Sequence, residues 1–429
     1  MSTSPPSADA SPPPLPWDQY THFAGFDWAS EEHDVVVLDR AGQIAAQFSF
    51  TDGAEGWQDF RQRMAKFPAV AVIVETSSGV LVERLLDSGI AVFPVHPVAA
   101  KRFRQRHAPS GVKDNVLDAW SLADALRLDG HLWKPLQPDN PLLQELRLLT
   151  RDEIHLIQQR TALINQLRQA LHEYYPIALQ AFDNWTLPAA WEFVIRFPTP
   201  QALHQAGRRR WEKFLHAHDL ARPETYQRRL ELFSQALQFT SSSALSNAKS
   251  RLAVALAKQL QLLEKQLRSY RNCIDDLFGQ HQDHHVFKSL PGVGPKLAPR
   301  LLSECGDRRE RFGEPQALQC YAGTAPVSYE SGQFKKVILR QACNKYLRAA
   351  VHLWVNLSRR KCAWAETYYQ HKRQRGMSHA CALRCLGQRW LKILWKMWQT
   401  RTPYDEALHT RNQTQHGSWI LQLAASQTR

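Results

Sequence analysis

The apolar positions change their period along the chain, and each change marks a different kind of element. Between Thr21 and about Gly130 they come in short blocks. HFAGFDW, HDVVVLD and QIAAQFSF read as three strands, with a hairpin turn at Arg40-Ala41-Gly42, where Gly42 tolerates positive φ. AVAVIVE is a continuous apolar run and predicts a buried strand. GVLVERLLDSG predicts a helix that stops at Gly89, IAVFPV a further strand, and the stretch GVKDNVLDAWSLADAL a helix. From about 140 to 285 the pattern is helical. Leu256, Leu260, Leu263, Leu267, Tyr270, Ile274 and Leu277 alternate spacings of four and three, and Ile157, Ile164 and Leu171 recur every seven. That is a coiled-coil seam, able to pair within one chain as an antiparallel hairpin or between chains; a buried helix in a larger bundle gives the same pattern. Between the two segments lies an insertion with Arg208, Arg209 and Arg210 ahead of Trp211, read as a helical subdomain able to touch RNA.

Composition narrows the function. A chain of 429 residues predicts two or three domains. Lys and Arg number 54 against 40 Asp and Glu, a net charge of +14. The excess concentrates between Ser331 and Thr400, where fifteen basic residues face the single acid Glu366, interleaved with Trp354, Trp364, Tyr368, Tyr369, Trp390, Trp395 and Trp398. Such a block suits nucleic-acid phosphate contacts with aromatic or apolar support, or a solvated basic face over an aromatic core. The seven cysteines form no CxxC pair, which argues against a disulfide framework or structural zinc and fits a reducing compartment. HQDHH, with His281, His284 and His285, reads as a solvated loop more readily than as a metal site. No apolar run reaches membrane-spanning length, so no membrane partner is expected. MSTSPPSADASPPPLP, with neither a basic start nor an apolar stretch, predicts a disordered Pro/Ser-rich tail and no signal peptide.

Against this basic background, Asp27, Glu75 and Asp118 stand out. The first two fall at strand ends and the third on a helix. Carboxylates brought together at one sheet edge suit Mg²⁺, and a two-ion site stabilises both attacking and leaving oxygens of a phosphodiester. Further along, LPGVGPKLAPRLLSECG is a glycine turn running into an apolar helix, similar to a helix-hairpin-helix element. Backbone N–H groups near Gly292 and Gly294 can bind phosphate there, followed by Lys296 and Arg300.

The order βββ-α-β-α-β-α resembles a ribonuclease H-like fold, in which acids from the first and fourth strands and the last helix meet at one edge. PVHPVAAKRFRQRHAPSG followed by KDNVLDAWSLADALR closely resembles the first block of the insertion sequence 110 family of transposases. The segment from LPGVG through YAGTAPVSYESGQFKK to CNKYLR is similar to the second. The resemblance implies a RuvC-like domain with a D-E-D-D acid set. Asp27 is then the first acid, Glu75 the second and Asp118 the fourth. Lys113 and Asp118-Ala119 match the family's run, but Asn115 stands where the third Asp belongs, with Asp114 one position earlier. Asn115 offers an amide oxygen without negative charge, which weakens a Mg²⁺ site. Either Asp114 substitutes, or Asn115 ligates, or the site is disabled.

The resemblance also implies that the serine before glycine in YESGQ, Ser331, is the nucleophile toward DNA. Ser328 competes but lacks the following glycine. Lys335, Lys336 and Arg340 are then placed to neutralise the phosphate, and Asn344, Lys345 and Arg348 to support it; Cys343 stands where the family has Gly. The implied protein is an RNA-guided DNA recombinase of a prokaryotic mobile element. It takes donor and target DNA, pairs them through a structured non-coding bridge RNA, and works as a homodimer or homotetramer in the cytoplasm, associated with the nucleoid. The other expectations are a metal-dependent nuclease or junction resolvase using water, and a non-catalytic nucleic-acid-binding protein. The domains expected are a tail at 1–20, a RuvC-like α/β domain at 21–135, a helical coiled-coil spacer at 136–285, a mostly helical transposase domain at 286–402, and a tail at 403–429.

Overall fold

A computed structural model of the protein describes residues 15–77, 79–108, 114–137, 139–236 and 243–420. Lys113 and most of the amino-terminal tail lie outside the described residues. The chain divides into two compact units, Met1–Asp139 and Asn140–Arg429.

The first unit is a five-stranded sheet in the order β3-β2-β1-β4-β5. Strands β1 (His22–Asp27), β2 (Glu32–Asp39) and β3 (Ile44–Thr51) form an antiparallel meander, turning between the last two at Gly42, whose φ is +87°. Helix α1 (Ala54–Met64) leads to β4 (Val70–Val74), and α2 (Val80–Asp87) to β5 (Ala91–Pro94), both parallel to β1 in direction. Helices α3 (Pro97–His107) and α4 (Asn115–Asp129) follow. The expected order is found, with α3 added before the final helix. Period-two alternation divides the core. Ala24, Phe26, Val72 and Val74 pack with Trp57 and Phe60 of α1 and Leu85 of α2. Phe23, Ala71, Ile73 and Phe93 pack with Ala100 of α3 and Leu122 and Leu126 of α4.

The second unit is helical apart from one hairpin. Two long helices, α5 (Pro141–Tyr174) and α10 (Ser243–Gln280), run antiparallel: Glu173 pairs with Lys249 at 2.7 Å, Arg160 with Glu264 at 2.8 Å and Glu153 with Arg271 at 3.1 Å. Most of the predicted seam is buried, but its neighbours differ along its length. Leu256 and Leu260 join the core of the insertion, whereas Ile274 joins that of the carboxy-terminal helices. The insertion comprises α6 (Pro176–Ala181), α7 (Pro188–Arg196), α8 (Pro200–Ala217) and α9 (Pro223–Ser234), packed around Trp191, Phe193, Phe214 and Phe233.

Beyond α10 come α11 (His284–Lys288), α12 (Gly294–Cys305), α13 (Pro315–Tyr321), the hairpin β6 (Val327–Ser331) and β7 (Phe334–Ile338), then α14 (Lys345–Ser358), α15 (Ala363–Gln374) and α16 (His379–Thr400). Trp354, Trp390 and Trp398 of the basic block are fully buried in this core, as the alternative of a basic face over an aromatic core expects. HQDHH is not a solvated loop. His281 and Asp283 are buried, Asp283 accepts from Arg309 at 2.5 Å and from the Trp398 indole at 3.2 Å, and burial lowers the pKa of His281. The segment after Thr402 also contributes structure. Helix α17 (Glu406–Gln415) sets His409 against Trp364, and Trp419 packs on Tyr368.

Candidate active site

Three of the predicted acids are carried to the same side of the first unit's sheet. Strands β1 and β4 are paired in parallel through Phe26 and Val74, and the next residues along are Asp27 and Glu75. Alternation puts Asp27 on the face of Phe23 and Gly25, and Glu75 on that of Ala71 and Ile73, so both leave their strands on the side covered by α4. Asp118 lies in the first turn of α4. The close approach of that helix depends on Gly25. A Cβ there would stand 1.8 Å from the Ala119 carbonyl oxygen and 2.6 Å from the Ala123 nitrogen, so only glycine lets α4 lie against β1.

The electrostatics of this edge follow from burial and like charge. Glu75 is half-buried, and its carboxyl is raised above the ordinary range first by desolvation and then by the negative charge of Asp118; Arg104 opposes this. Arg104, from α3, holds both Asp118 oxygens with one guanidinium nitrogen, at 2.8 and 3.1 Å. Sequence reading overlooked Arg104; the basic run KRFRQRH beside the first family block was its only signal. Asp114 is the N-cap of α4, one of its oxygens accepting from the Val116 N–H at 3.0 Å, and Asn115 is the first helical residue; both are exposed. The donor set suits a hard divalent cation in kind, being carboxylate oxygens on one face. Among the described residues, however, no three His, Cys, Asp or Glu side chains stand together as a ready-made metal cluster, and Asp118 is turned to Arg104.

Ser331 closes the exposed hairpin of the second unit. It pairs with Phe334 across a two-residue turn whose Gly332 has φ of +55°. Cross-strand partners share a face, so Ser331 stands with Phe334, Tyr329 and Lys336. Ser328, Glu330, Lys335 and Val337 occupy the other face, with Lys335 3.5 Å from Glu330. The hairpin therefore separates the two serines and the two lysines that sequence reading grouped together. Every residue from Ser328 to Leu339 is exposed.

Several expected phosphate contacts are committed elsewhere. Arg300 is buried and bonds to Glu153 at 2.7 Å, because α12 faces α5 at this position. Asn344 caps α14 by accepting from the Leu347 N–H at 3.0 Å and donates to Glu304 at 2.7 Å and to the Tyr321 hydroxyl at 2.9 Å. Gly292 serves packing, since a Cβ there would meet the Leu357 and Ser358 backbone at 2.8 Å. Arg340 donates to the Ala325 carbonyl at 3.3 Å, and Arg348 to that of Arg340 at 3.3 Å. Gly294, Lys296 and Lys345 are exposed at the first turns of α12 and α14.

Comparison with known proteins matches both regions. A transposase family model of the IS110 DEDD type covers residues 24–176, and the model of the transposase IS116/IS110/IS902 family covers residues 284–370. The protein named as the transposase of the mini-circle IS117 in Streptomyces coelicolor is 33% identical over 399 residues, 91% of this chain and 96% of its own. The 43.6 kDa protein of insertion element IS110, from the same organism, is 27% identical over 355 residues, 81% of this chain and 86% of its own. Among solved structures, T. thermophilus RuvC in complex with Holliday junction substrate aligns over 27% of this chain and all of its own, with 13% identity and a TM-score of 0.22.

Proposed function

The chain belongs to the IS110 family of transposases, and from that premise we propose that it cuts and rejoins DNA through a covalent bond between Ser331 and a DNA phosphate. The observation that carries the reading is the shared edge of Asp27, Glu75 and Asp118, where burial and then the negative charge of Asp118 raise the cost of ionising Glu75. Mg²⁺, as one ion or two, would be held by these three and would supply charge stabilisation at the phosphoryl oxygens. Asn115 and Asp114 stand at the start of α4, within one turn of Asp118, as candidates for the remaining ligand.

The serine step needs no external energy source. The Ser331 oxygen bonds to phosphorus as the P–O3′ bond breaks, the serine proton leaves, and the departing 3′-oxygen takes up a proton. One phosphoester is exchanged for another, so the 5′-phosphoserine keeps the bond for strand rejoining. Lys336, on the serine's face of the hairpin, neutralises the phosphate; Lys335, Lys296 and Lys345 contact the DNA backbone. Joining two duplexes requires at least two copies of the chain. A structured non-coding RNA pairing with donor and target DNA completes the reading, with the exposed Arg208, Arg209 and Arg210 among its contacts.

The test is mass spectrometry of nuclease-digested reactions, seeking a nucleotide on the peptide that contains Ser331. Ser331→Ala should bind DNA and fold as before but form no adduct and no recombinant. Wild-type recombination by Ser331→Ala, or strand cleavage without any adduct, would reduce the protein to a nuclease using water. Asn115→Asp should raise activity if that position is the weak ligand. No change there, with loss on Asp114→Ala, would assign the role to Asp114.

A further inference from the structure

The serine hairpin is amphipathic, and its apolar face is open to solvent. The register of β6 and β7 puts Val327, Tyr329, Ser331, Phe334, Lys336 and Ile338 on one face, and Ser328, Glu330, Lys335 and Val337 on the other. Such alternation ordinarily turns its apolar side toward a core. Here Tyr329, Phe334 and Ile338 are 56%, 57% and 40% exposed, and they stand outside both hydrophobic cores of the second unit. Apolar side chains gathered on one exposed face mark a place of contact with another molecule.

Two features decide what that face meets. The first is charge. Lys336 is the one charged side chain on it, whereas the hairpin's acid, Glu330, lies on the far face 3.5 Å from Lys335. A surface with aromatic rings, a cation and no acid complements a DNA strand, which offers bases to the rings and phosphate to the lysine. The second is the place of the proposed nucleophile. Attack brings the serine oxygen within about 3.5 Å of phosphorus, and side chains directly opposite across a ladder stand about 5 Å apart. Phe334 is directly opposite Ser331. A phosphate within reach of the serine therefore brings a nucleotide attached to it against the Phe334 ring. Tyr329 meets that ring edge to face, with centroids 6.4 Å apart and planes at 74°, which braces its tilt. A protein partner seated on this face would instead cover Ser331.

We propose that Phe334 stacks on an unpaired base next to the phosphate attacked by Ser331, with Tyr329 bracing the ring. This deepens the DNA-rejoining reading above and rests on its assignment of Ser331. Every base has a π-face, so the contact positions the strand at the serine without reading its sequence.

The test uses the full-length protein and a mixed-sequence single-stranded DNA oligonucleotide with 5-iodouracil in place of thymine, which cross-links under ultraviolet light to aromatic rings stacked on it. Mass spectrometry of the digested product should find the cross-link on Phe334. Phe334→Ala should lose it and bind the strand about tenfold more weakly, with the salt dependence unchanged because no phosphate contact is removed. Phe334→Trp should bind as wild type does, whereas Phe334→Leu, apolar but without a π-face, should bind as weakly as Phe334→Ala. Binding of the duplex of the same sequence should fall less than that of the single strand. All three variants should melt with the wild type, since the side chain is exposed. Cross-links that omit Phe334 in wild-type protein bound to the oligonucleotide, full binding by Phe334→Ala, or equal losses on single strand and duplex would overturn the stack. Wild-type binding by Phe334→Leu, with self-association lost in Phe334→Ala, would overturn it in favour of a second copy of the chain on this face. Ser331→Ala should keep the cross-link while losing the adduct. Wild-type recombination by Ser331→Ala with the cross-link still on Phe334 would sink the serine assignment and leave the stack standing, so the two failures are told apart.

Discussion

The two regions to which the proposed chemistry is assigned are built in opposite ways. In the first unit Asp27 and Glu75 sit at the ends of buried strands, and Asp118 lies on a helix brought within backbone contact of β1 by Gly25. Their positions are consequences of a packed core, and moving one means moving the sheet. The serine of the second unit sits at the turn of a two-stranded hairpin whose residues are exposed from end to end. Tyr329, Phe334 and Val337 are 56%, 57% and 69% exposed, so the hairpin gains little from its own packing. A metal site needs several oxygens fixed against mutual repulsion, which a core supplies. A nucleophile must reach a phosphate on a large substrate, which an exposed hairpin permits.

That contrast can be broken at three points. Gly25→Val should be the most damaging. A side chain cannot enter between β1 and α4 without separating them, and at least about 3 kcal/mol of stability should be lost along with the acid edge. Thermal unfolding together with DNA cleavage checks this; a stable, active Gly25→Val would show that α4 does not position the acids. Next in size is Arg300→Ala. Sequence placed this residue on phosphate, but it is buried against Glu153, so the variant should lose about 3 kcal/mol by leaving a buried carboxylate short of a partner. Weakened DNA binding at unchanged stability would restore the sequence reading. The smallest effects belong to the hairpin lysines. Lys336→Ala, on the serine's face, should slow adduct formation roughly tenfold. Lys335→Ala, on the far face, should leave that rate alone and lower the salt dependence of DNA binding by about one phosphate contact. Neither should shift the melting temperature, and equal effects of the two on the adduct rate would remove the distinction between faces.

Much of the fold was legible because its signals are local. The blocks HFAGFDW, HDVVVLD and AVAVIVE announce strands by their own composition, and the long helices announce themselves by period. The positions of the candidate acids were legible too: a carboxylate directly after an apolar run lies at a strand end, and the family's spacing singled out the ones proposed as ligands. The lower part of the site was harder. Arg300 and Lys296 look alike in LPGVGPKLAPR, yet one is buried and the other exposed, because only the packing of α12 against α5 distinguishes them. Asn344 was expected at the phosphate and instead completes a helix cap and a bond to Glu304, a partner forty positions away in sequence.

By itself, then, the sequence determined the elements and the family and singled out the acids and the serine as candidates, since each is written in residues close together along the chain. Only the tertiary structure decided which charges are spent inside the protein, that Arg104 holds Asp118, and that Lys336 and not Lys335 shares a face with Ser331. These depend on side chains meeting across elements, where burial and the demand that buried polar groups be paired decide the outcome, and no local pattern records either.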